Sequence, residues 1–307
     1  VNVVLDILVI LICIAGLWAG AEWVVGSATN IARKLGMSDL IIGLTIVAIG
    51  TSAPEFAVTV VAALEGRSNI SVGNVVGSNI FNLGFILGGI ALICTIKTSR
   101  QLIYRDGAVL LGSTLLLLFF MADLNFSRTE GGILMALLGA YILFLILRRS
   151  ESEEDIPEGQ YRWYTLMVFL AGIAAIVASG HFFVGAATSL ARTFGVSEWV
   201  IGVTIVAIGT SAPEVATSLV ALLKGRYGMS AGNLVGSDIF NVLGVLGLAA
   251  LLHPMTVAEE AKGSIYLLSI MVVVVLVMMR LGWKITRVEG AILVLITMVR
   301  WYADFTR

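Results

Sequence analysis

The sequence predicts an all-α polytopic membrane protein of ten transmembrane helices, arranged as two inverted five-helix repeats in which helices 2 and 7 are broken. Three observations lead there. Apolar residues make up 59% of the 307 and charged residues only 13%, with a mean hydropathy of +1.01. That balance excludes an ordinary soluble domain, and it leaves too few polar residues for the alternation of an outer-membrane barrel. The apolar residues fall into ten stretches of near bilayer length. Finally, the run TIVAIGTSAPE occurs twice without change, at 45–55 and at 204–214.

The ten stretches lie at about 3–25, 39–64, 70–94, 104–122, 129–148, 163–190, 198–223, 229–252, 263–280 and 285–303. Each is close to the ~20 residues that a ~30 Å hydrocarbon layer requires. The first lacks the basic start of a cleavable signal peptide and runs straight into further membrane-like sequence.

The basic residues set the direction. Arg33, Lys34, Lys97, Arg100, Arg105, Arg148, Arg149, Arg162, Lys224, Arg226, Arg280, Lys284 and Arg287 fall on one side of the ten spans. Arg67, Arg128, Arg192, Lys262, Arg300 and Arg307 fall on the other, so all 19 Lys and Arg divide 13 to 6. The richer side is the cytoplasmic one, and both termini are expected to be extracellular, in a multi-pass protein of the cell membrane. The two copies of the repeat are 159 residues apart, with Glu55 matching Glu214, Ser78 matching Ser237 and Asn82 matching Asn241. Five spans separate equivalent points, and an odd number turns the second copy upside down. Inverted repeats that meet at broken helices are an architecture of secondary transporters. The organisation is therefore a first repeat over 1–149 (spans 1–5), an acidic cytoplasmic linker over 150–160 and a second repeat over 161–307 (spans 6–10). The linker carries Glu151, Glu153, Glu154, Asp155 and Glu158 without the ligand spacing of a Ca2+ loop, and reads as solvated chain.

Composition also bears on partners. The net charge of −1 gives no footprint for nucleic acid, and none is expected as a partner. Cys13 and Cys94 sit in apolar segments and read as small hydrophobes, with neither a disulfide nor a metal role. Membrane lipids are the expected surroundings, and the chain is expected to be monomeric.

The chemistry lies in the repeated segment. Pro54 and Pro213 lack an N–H, and each ring clashes with the carbonyl four residues back, at Gly50 and Gly209. Carbonyls near Ala48–Gly50 and Ala207–Gly209 then lose helical partners at membrane depth, where a cation can satisfy them. Thr51 and Glu55 share a helix face, with Ser52 three residues before Glu55. Asn74, Ser78 and Asn82 form a stripe on the next span. The second half repeats the set as Thr210, Ser211, Glu214, Asn233, Ser237 and Asn241. All are oxygen donors, which suit Ca2+, Na+ or Mg2+ rather than zinc or copper. Acidic groups inside a membrane segment point to function. Two buried carboxylates require compensation, which one Ca2+, two Na+ or two protons supply. A third Na+ would carry net charge across the membrane. No resident cofactor is implied, because the ions are cargo.

At these residues a family resemblance appears. GTSAPE at 50–55 and 209–214, each followed by GNxVGSxIFN at 73–82 and 232–241, resembles the paired α-repeats of the sodium/calcium exchangers, within the cation/calcium antiporter superfamily. The resemblance covers essentially the whole chain and matches the family's prokaryotic pattern. It implies that Glu55 and Glu214 are the central carboxylates that bind Ca2+ and share in binding Na+. It implies that Thr51 and Thr210 help to coordinate Ca2+, largely through main-chain carbonyls. Ser52, Ser78, Ser211 and Ser237, with the carbonyls of Ala48 and Ala207, would serve flanking Na+ sites, and Asn82 and Asn241 would line the middle. Such proteins alternate between outward- and inward-open states as the equivalents of spans 1 and 6 slide over the other eight.

Two departures stand out. Some relatives, including the potassium-dependent branch, carry Asp where Asn241 stands, which argues against K+ co-transport here. Asp238 stands where the first half has Asn79, and His181 where it has Glu22. Asp238 is expected to point about 100° from the Ser237 face, either as a contributor to the ion path or as a hydrogen-bonded interior or interfacial acid. His181 reads as a polar residue facing a cavity or interface, or as a group titrating near neutral pH. The leading expectation is an antiporter that exchanges Na+ for Ca2+ by alternating access. The alternative is a proton/calcium exchanger of the same superfamily; those relatives carry Asn in place of the Thr-Ser pair, so Thr51, Ser52, Thr210 and Ser211 favour Na+. An intramembrane enzyme is not expected, since no nucleophile–base pair accompanies the two glutamates.

Overall fold

The structure, a computed structural model, describes residues 3–148, 160–194 and 207–305. Helix α1 runs Val3–Leu35, followed by α2 (Asp39–Thr51) and α3 (Ala53–Leu64), which meet at a 51° bend. Helices α4 (Ser68–Ile93), α5 (Leu102–Asp123) and α6 (Arg128–Leu147) complete the first half. The second half contains α7 (Thr165–Thr193), α8 (Ala207–Thr210), α9 (Ala212–Leu223), α10 (Tyr227–Leu252), α11 (Glu260–Gly282) and α12 (Arg287–Phe305). Among the described residues seven helices are long and apolar enough to cross a membrane, and the bent pair α2–α3 makes eight. The part of the seventh expected span over 198–206, and residues 150–159 of the linker, lie outside the described residues.

The first helix extends ten residues past the expected end at 25. The added turns are not lipid-like, which is why hydropathy misses them. They bury Ser27, Ala28, Thr29, Ile31 and Ala32 against protein and end at Gly36, whose φ of +65° suits a residue without Cβ. The helices over the third to sixth and the last three expected spans begin and end within three residues of the expected limits.

The polar joints between helices are built in matching ways. Strand β1 (Ile96–Lys97) pairs antiparallel with β4 (Lys284–Ile285), and β2 (Asn125–Phe126) with β3 (Met255–Thr256). Each short ladder gives backbone groups at a helix end the partners they require. Ser127 caps α6 through the N–H of Glu130, whose carboxylate returns to the Ser127 N–H at 2.7 Å. Thr286 and Glu289 do the same for α12, with the Thr286 N–H at 2.7 Å from the Glu289 carboxylate.

The core is apolar and continuous, with Leu40, Ile41, Ile42, Ile80, Leu83 and Leu87 among its largest fully buried side chains. Exposed large apolar residues such as Leu11, Ile12, Phe119 and Leu147 face outward on the long helices, as a lipid-facing surface demands. A buried charge outside the central polar cluster is paired. Asp106 accepts from Arg105 Nε and Nη2 at 2.7 and 2.9 Å, and from the Tyr141 hydroxyl at 2.9 Å, tying α5 to α6.

Candidate functional site: two buried glutamates at the helix breaks

The break begins before the proline. A wide π-helical turn occupies Gly43–Val47, a short α-helical stretch follows over Ala48–Thr51, and the chain turns at Ser52 (φ −78°, ψ 12°). Pro54 falls in the first turn of α3, where its missing N–H is not needed. Pro213 does the same in α9, after a turn at Ser211 (φ −89°, ψ 6°). Glu55 and Glu214 therefore sit in the first turn of a helix, where the partial positive end of the helix dipole favours a carboxylate.

Neither glutamate is exposed at all. The halves exchange hydrogen bonds at this point. Ser52 donates to Glu214 Oε1 at 3.0 Å, and Ser211 donates to Glu55 Oε1 at 2.9 Å. Ser237 also donates to Glu214 Oε1, at 3.4 Å. Ser78 lies near Glu55, and Thr51 lies near Glu214. Thr51 further contacts Asn233 Oδ1 at 3.1 Å, Ser237 Oγ at 3.5 Å and the carbonyl of Ala48 at 3.3 Å. That carbonyl also accepts from the Ser52 N–H at 3.1 Å, so Ala48 O is better supplied with donors than a break alone suggests. Thr210 is 8% exposed beside Ser211, and Ala207 opens α8.

Asn82 and Asn241 complete the polar ring. Asn82 starts a π-helical turn in α4, Asn82–Ile86, and Asn241 lies inside the corresponding turn Phe240–Leu246 of α10. Widened turns of this kind occur at functional sites. Asn82 donates to Asp238 Oδ1 at 2.9 Å, and Asn241 donates to Asn79 Oδ1 at 3.1 Å. Asn79 in turn donates to the carbonyl of Asp238 at 2.9 Å. Asp238 is thus a fully buried, hydrogen-bonded interior acid that joins α10 to α4. Asn74 and Asn233 hold the site from behind: Asn74 donates to Thr59 Oγ1 at 2.9 Å and to the Glu55 carbonyl at 3.3 Å, and Asn233 donates to Ser218 Oγ at 2.9 Å.

The acceptors left over are informative. Among the described residues, Glu55 Oε2, Glu214 Oε2, Asn82 Oδ1, Asn241 Oδ1 and Asp238 Oδ2 are buried without a protein donor. Unpartnered buried oxygens, three on carboxyl groups and two on amides, are expensive, and a cation is a natural complement for them. No three His, Cys, Asp or Glu side chains converge as a metal-holding group among the described residues. Hydroxyl, amide and carbonyl oxygens surround the two glutamates instead, a donor set for hard cations.

The sequence singles out the two glutamates, both Thr-Ser pairs and the serines and asparagines of α4 and α10. Asp238 is among its candidates as a hydrogen-bonded interior acid, but its partner Asn82, the part of Asn79 as partner of Asn241, and the π-helical turns leave no plain mark there. The signal for the turns is faint: a Gly two or three residues after each Asn, at Gly84 and Gly244. At Gly84 an added Cβ would meet the side chain of Thr297, and at Gly244 those of Leu138 and Phe240.

Comparison with known proteins agrees with this arrangement. The family described as sodium/calcium exchanger protein matches residues 5–147 and 164–299. The CaxA protein of Alkalimonas amylolytica is 38% identical over 91% of this chain and 92% of its own. The sodium/calcium exchanger MaX1 of Methanosarcina acetivorans is 32% identical over 95% and 96% of the two chains. A structure of the sodium-calcium exchanger NCX_Mj, soaked with zero Na+ and Ca2+, superposes with a TM-score of 0.86 at 28% identity, over 98% of this chain and 99% of that one. With its buried oxygen-lined centre, broken apolar helices and full-length likeness, the chain belongs to the sodium/calcium exchanger family, a family of membrane cation antiporters rather than of enzymes.

Proposed function

We propose that this chain exchanges Na+ for Ca2+ across the cell membrane by alternating access, with ions bound mid-membrane between its two halves. The observation that carries the reading is the crossed pair of hydrogen bonds at the centre. Each glutamate is held by the serine of the other half, and each keeps one buried oxygen without a donor. Glu55 and Glu214 supply the charge for Ca2+. Thr51 and Thr210 complete its shell through carbonyl oxygens. Ser52, Ser78, Ser211 and Ser237, with the carbonyls of Ala48 and Ala207, serve Na+. Asn82 and Asn241 offer carbonyl oxygens between them. Ala48 takes part once the Thr51 hydroxyl turns from its carbonyl to an ion.

The ten-span architecture belongs to the same proposal. Residues 1–149 form one five-helix repeat and 161–307 its inverted copy, joined by the acidic linker 150–160. Support comes from the 159-residue correspondence, which relates the ladders β1–β4 and β2–β3, the Ser127 and Thr286 caps, and the two serine–glutamate bonds. The sidedness of the basic residues gives extracellular termini, and the unit of transport is the monomer.

NCX_Mj has been solved after soaking with Na+ together with Ca2+ or Sr2+. For this chain the choice of Na+ over H+ rests on the hydroxyls of Thr51, Ser52, Thr210 and Ser211, hard oxygen donors that suit Na+. Purified protein in vesicles should accumulate radioactive Ca2+ when Na+ is loaded inside and absent outside. Ca2+ uptake driven by a pH gradient, and indifferent to Na+, would replace this reading with proton/calcium exchange.

A further inference from the structure

Several bonds of the central scaffold obey the 159-residue correspondence. Ser52 to Glu214 matches Ser211 to Glu55, Asn82 to Asp238 matches Asn241 to Asn79, and Ser71 to the Thr59 carbonyl matches Ser230 to the Ser218 carbonyl. Helices α1 and α7 break the rule. They lie tightly together, so close that a Cβ on Gly172 would stand 2.9 Å from the carbonyl oxygen of Gly20. This pair packs unequally on the two halves. α1 packs along α9, yet among the described residues α7 has hardly any contact with α3, the counterpart of α9.

The same asymmetry holds for one polar contact. Lys224, at the end of α9, forms an ion pair with Glu22 of α1. The correspondence carries Lys224 to Glu65 and Glu22 to His181. Lys224 and Glu65 close their helices identically, with φ/ψ of −84°/4° and −80°/2°, each followed by a glycine with φ near +74° (Gly225 +74°, Gly66 +73°). At the second end, however, the pair is open. Glu65 turns to Arg67 at 3.3 Å, and His181 is exposed with its ring against Phe182. Both residues differ between the halves, but the complementarity survives with its sense reversed. One end has an acid on the paired helices and a cation on the scaffold. The other has the acid on the scaffold and a nitrogen donor on the paired helices.

We propose that Glu22–Lys224 and Glu65–His181 are alternate ties of the α1–α7 pair. The first is made in the conformer described, and the second replaces it when the pair slides to the opposite position. The inference rests on the alternating-access reading above. Packed interfaces of this kind have discrete positions rather than a continuum, so a small tie at each end weights one position against the other. Because Glu22 and Lys224 are 39% and 35% exposed, each tie is screened, and its loss should shift the balance about two- to five-fold rather than abolish transport.

The test uses full-length protein in vesicles with Cys13→Ala and Cys94→Ala as background. Cysteines are placed as Glu22→Cys/Lys224→Cys or as Glu65→Cys/His181→Cys, and probed with a short bifunctional methanethiosulfonate, which joins two thiols through reducible disulfides, under Na+, Ca2+ or neither. The expected result is reciprocal: conditions that raise cross-linking of one pair lower the other, and either cross-link stops Ca2+ flux until reduced. With the Glu65→Cys/His181→Cys pair as readout, Lys224→Gln should raise cross-linking of the opposite conformer about two- to five-fold, and the charge-exchanged Glu22→Lys/Lys224→Glu should restore it. If flux persists while the Glu65/His181 pair never cross-links, or both pairs cross-link in one molecule, the alternate-tie idea is overturned. A background protein without any coupled Ca2+ flux would instead overturn the transport reading beneath it.

Discussion

Ser211 donates its hydroxyl to Glu55 at 2.9 Å, reaching across 156 positions of sequence into the other half of the molecule. Ser52 returns the bond to Glu214 at 3.0 Å. The glutamate of each half is thus oriented by the hydroxyl of the other, and neither half alone could assemble the site.

Replacing either glutamate with its amide should therefore remove charge without removing shape. Glu55→Gln and Glu214→Gln are each expected to weaken Ca2+ binding by roughly a hundredfold or more, since carboxylate count sets affinity for hard cations. Calorimetric Ca2+ titration and vesicle flux read the effect, while the melting temperature in detergent should hardly move. Both variants transporting normally would remove the glutamates from the proposed site.

The crossed bonds make a paired prediction. Ser52→Ala and Ser211→Ala each delete one hydrogen bond to a carboxylate, worth about 1.5–3 kcal/mol. Ion affinity should fall by roughly tenfold or more in both, and by similar amounts. A large fall in one variant with none in the other would mean that the two halves are not equivalent at the centre.

Asp238 should behave as a structural acid whose acceptor matters more than its charge. Asp238→Asn keeps an oxygen for the Asn82 amide, now 2.9 Å away, and copies Asn79 of the first half. Asp238→Ala leaves that buried amide unpaired, a loss of about 1–3 kcal/mol. Thermal unfolding should rank Asp238→Ala well below Asp238→Asn. The reverse order would assign Asp238 a charge-dependent role.

Close packing at the break sets a fourth expectation. A Cβ on Gly236 would stand 2.6 Å from the Cα of Leu44 and 2.7 Å from its carbonyl oxygen, and backbone cannot give way as a side chain can. Gly236→Ala should destabilise by about 1–3 kcal/mol and reduce yield. Gly139 is an exposed control, with nothing within 4 Å of its Cβ position among the described residues, and Gly139→Ala should be neutral. Melting temperatures of the two variants decide the matter.

Much of this was legible in the chain because a membrane limits the options. In hydrocarbon a backbone must satisfy itself, so long apolar runs become helices, and a Glu beside a Pro in such a run stands out at once. Glu55, Glu214 and the hydroxyls next to them stand out that way as candidates, and most helix limits follow the same rule. The first helix ran past its expected end because its last turns are buried by protein instead of lipid, a distinction hydropathy does not make. Nor did residue types reveal that Ser52 serves Glu214 rather than its neighbour Glu55, that Asn82 grips Asp238, or that Gly236 is pressed against Leu44. Those outcomes depend on which surfaces meet when the halves interlock, and contacts 150 or more residues apart leave no local period in the sequence. The order of residues determined most helix limits, the duplicated motif and the kind of polar atom carried into the core. Only the folded arrangement decided which oxygens are already engaged and which remain, because that is settled by distance and direction between halves.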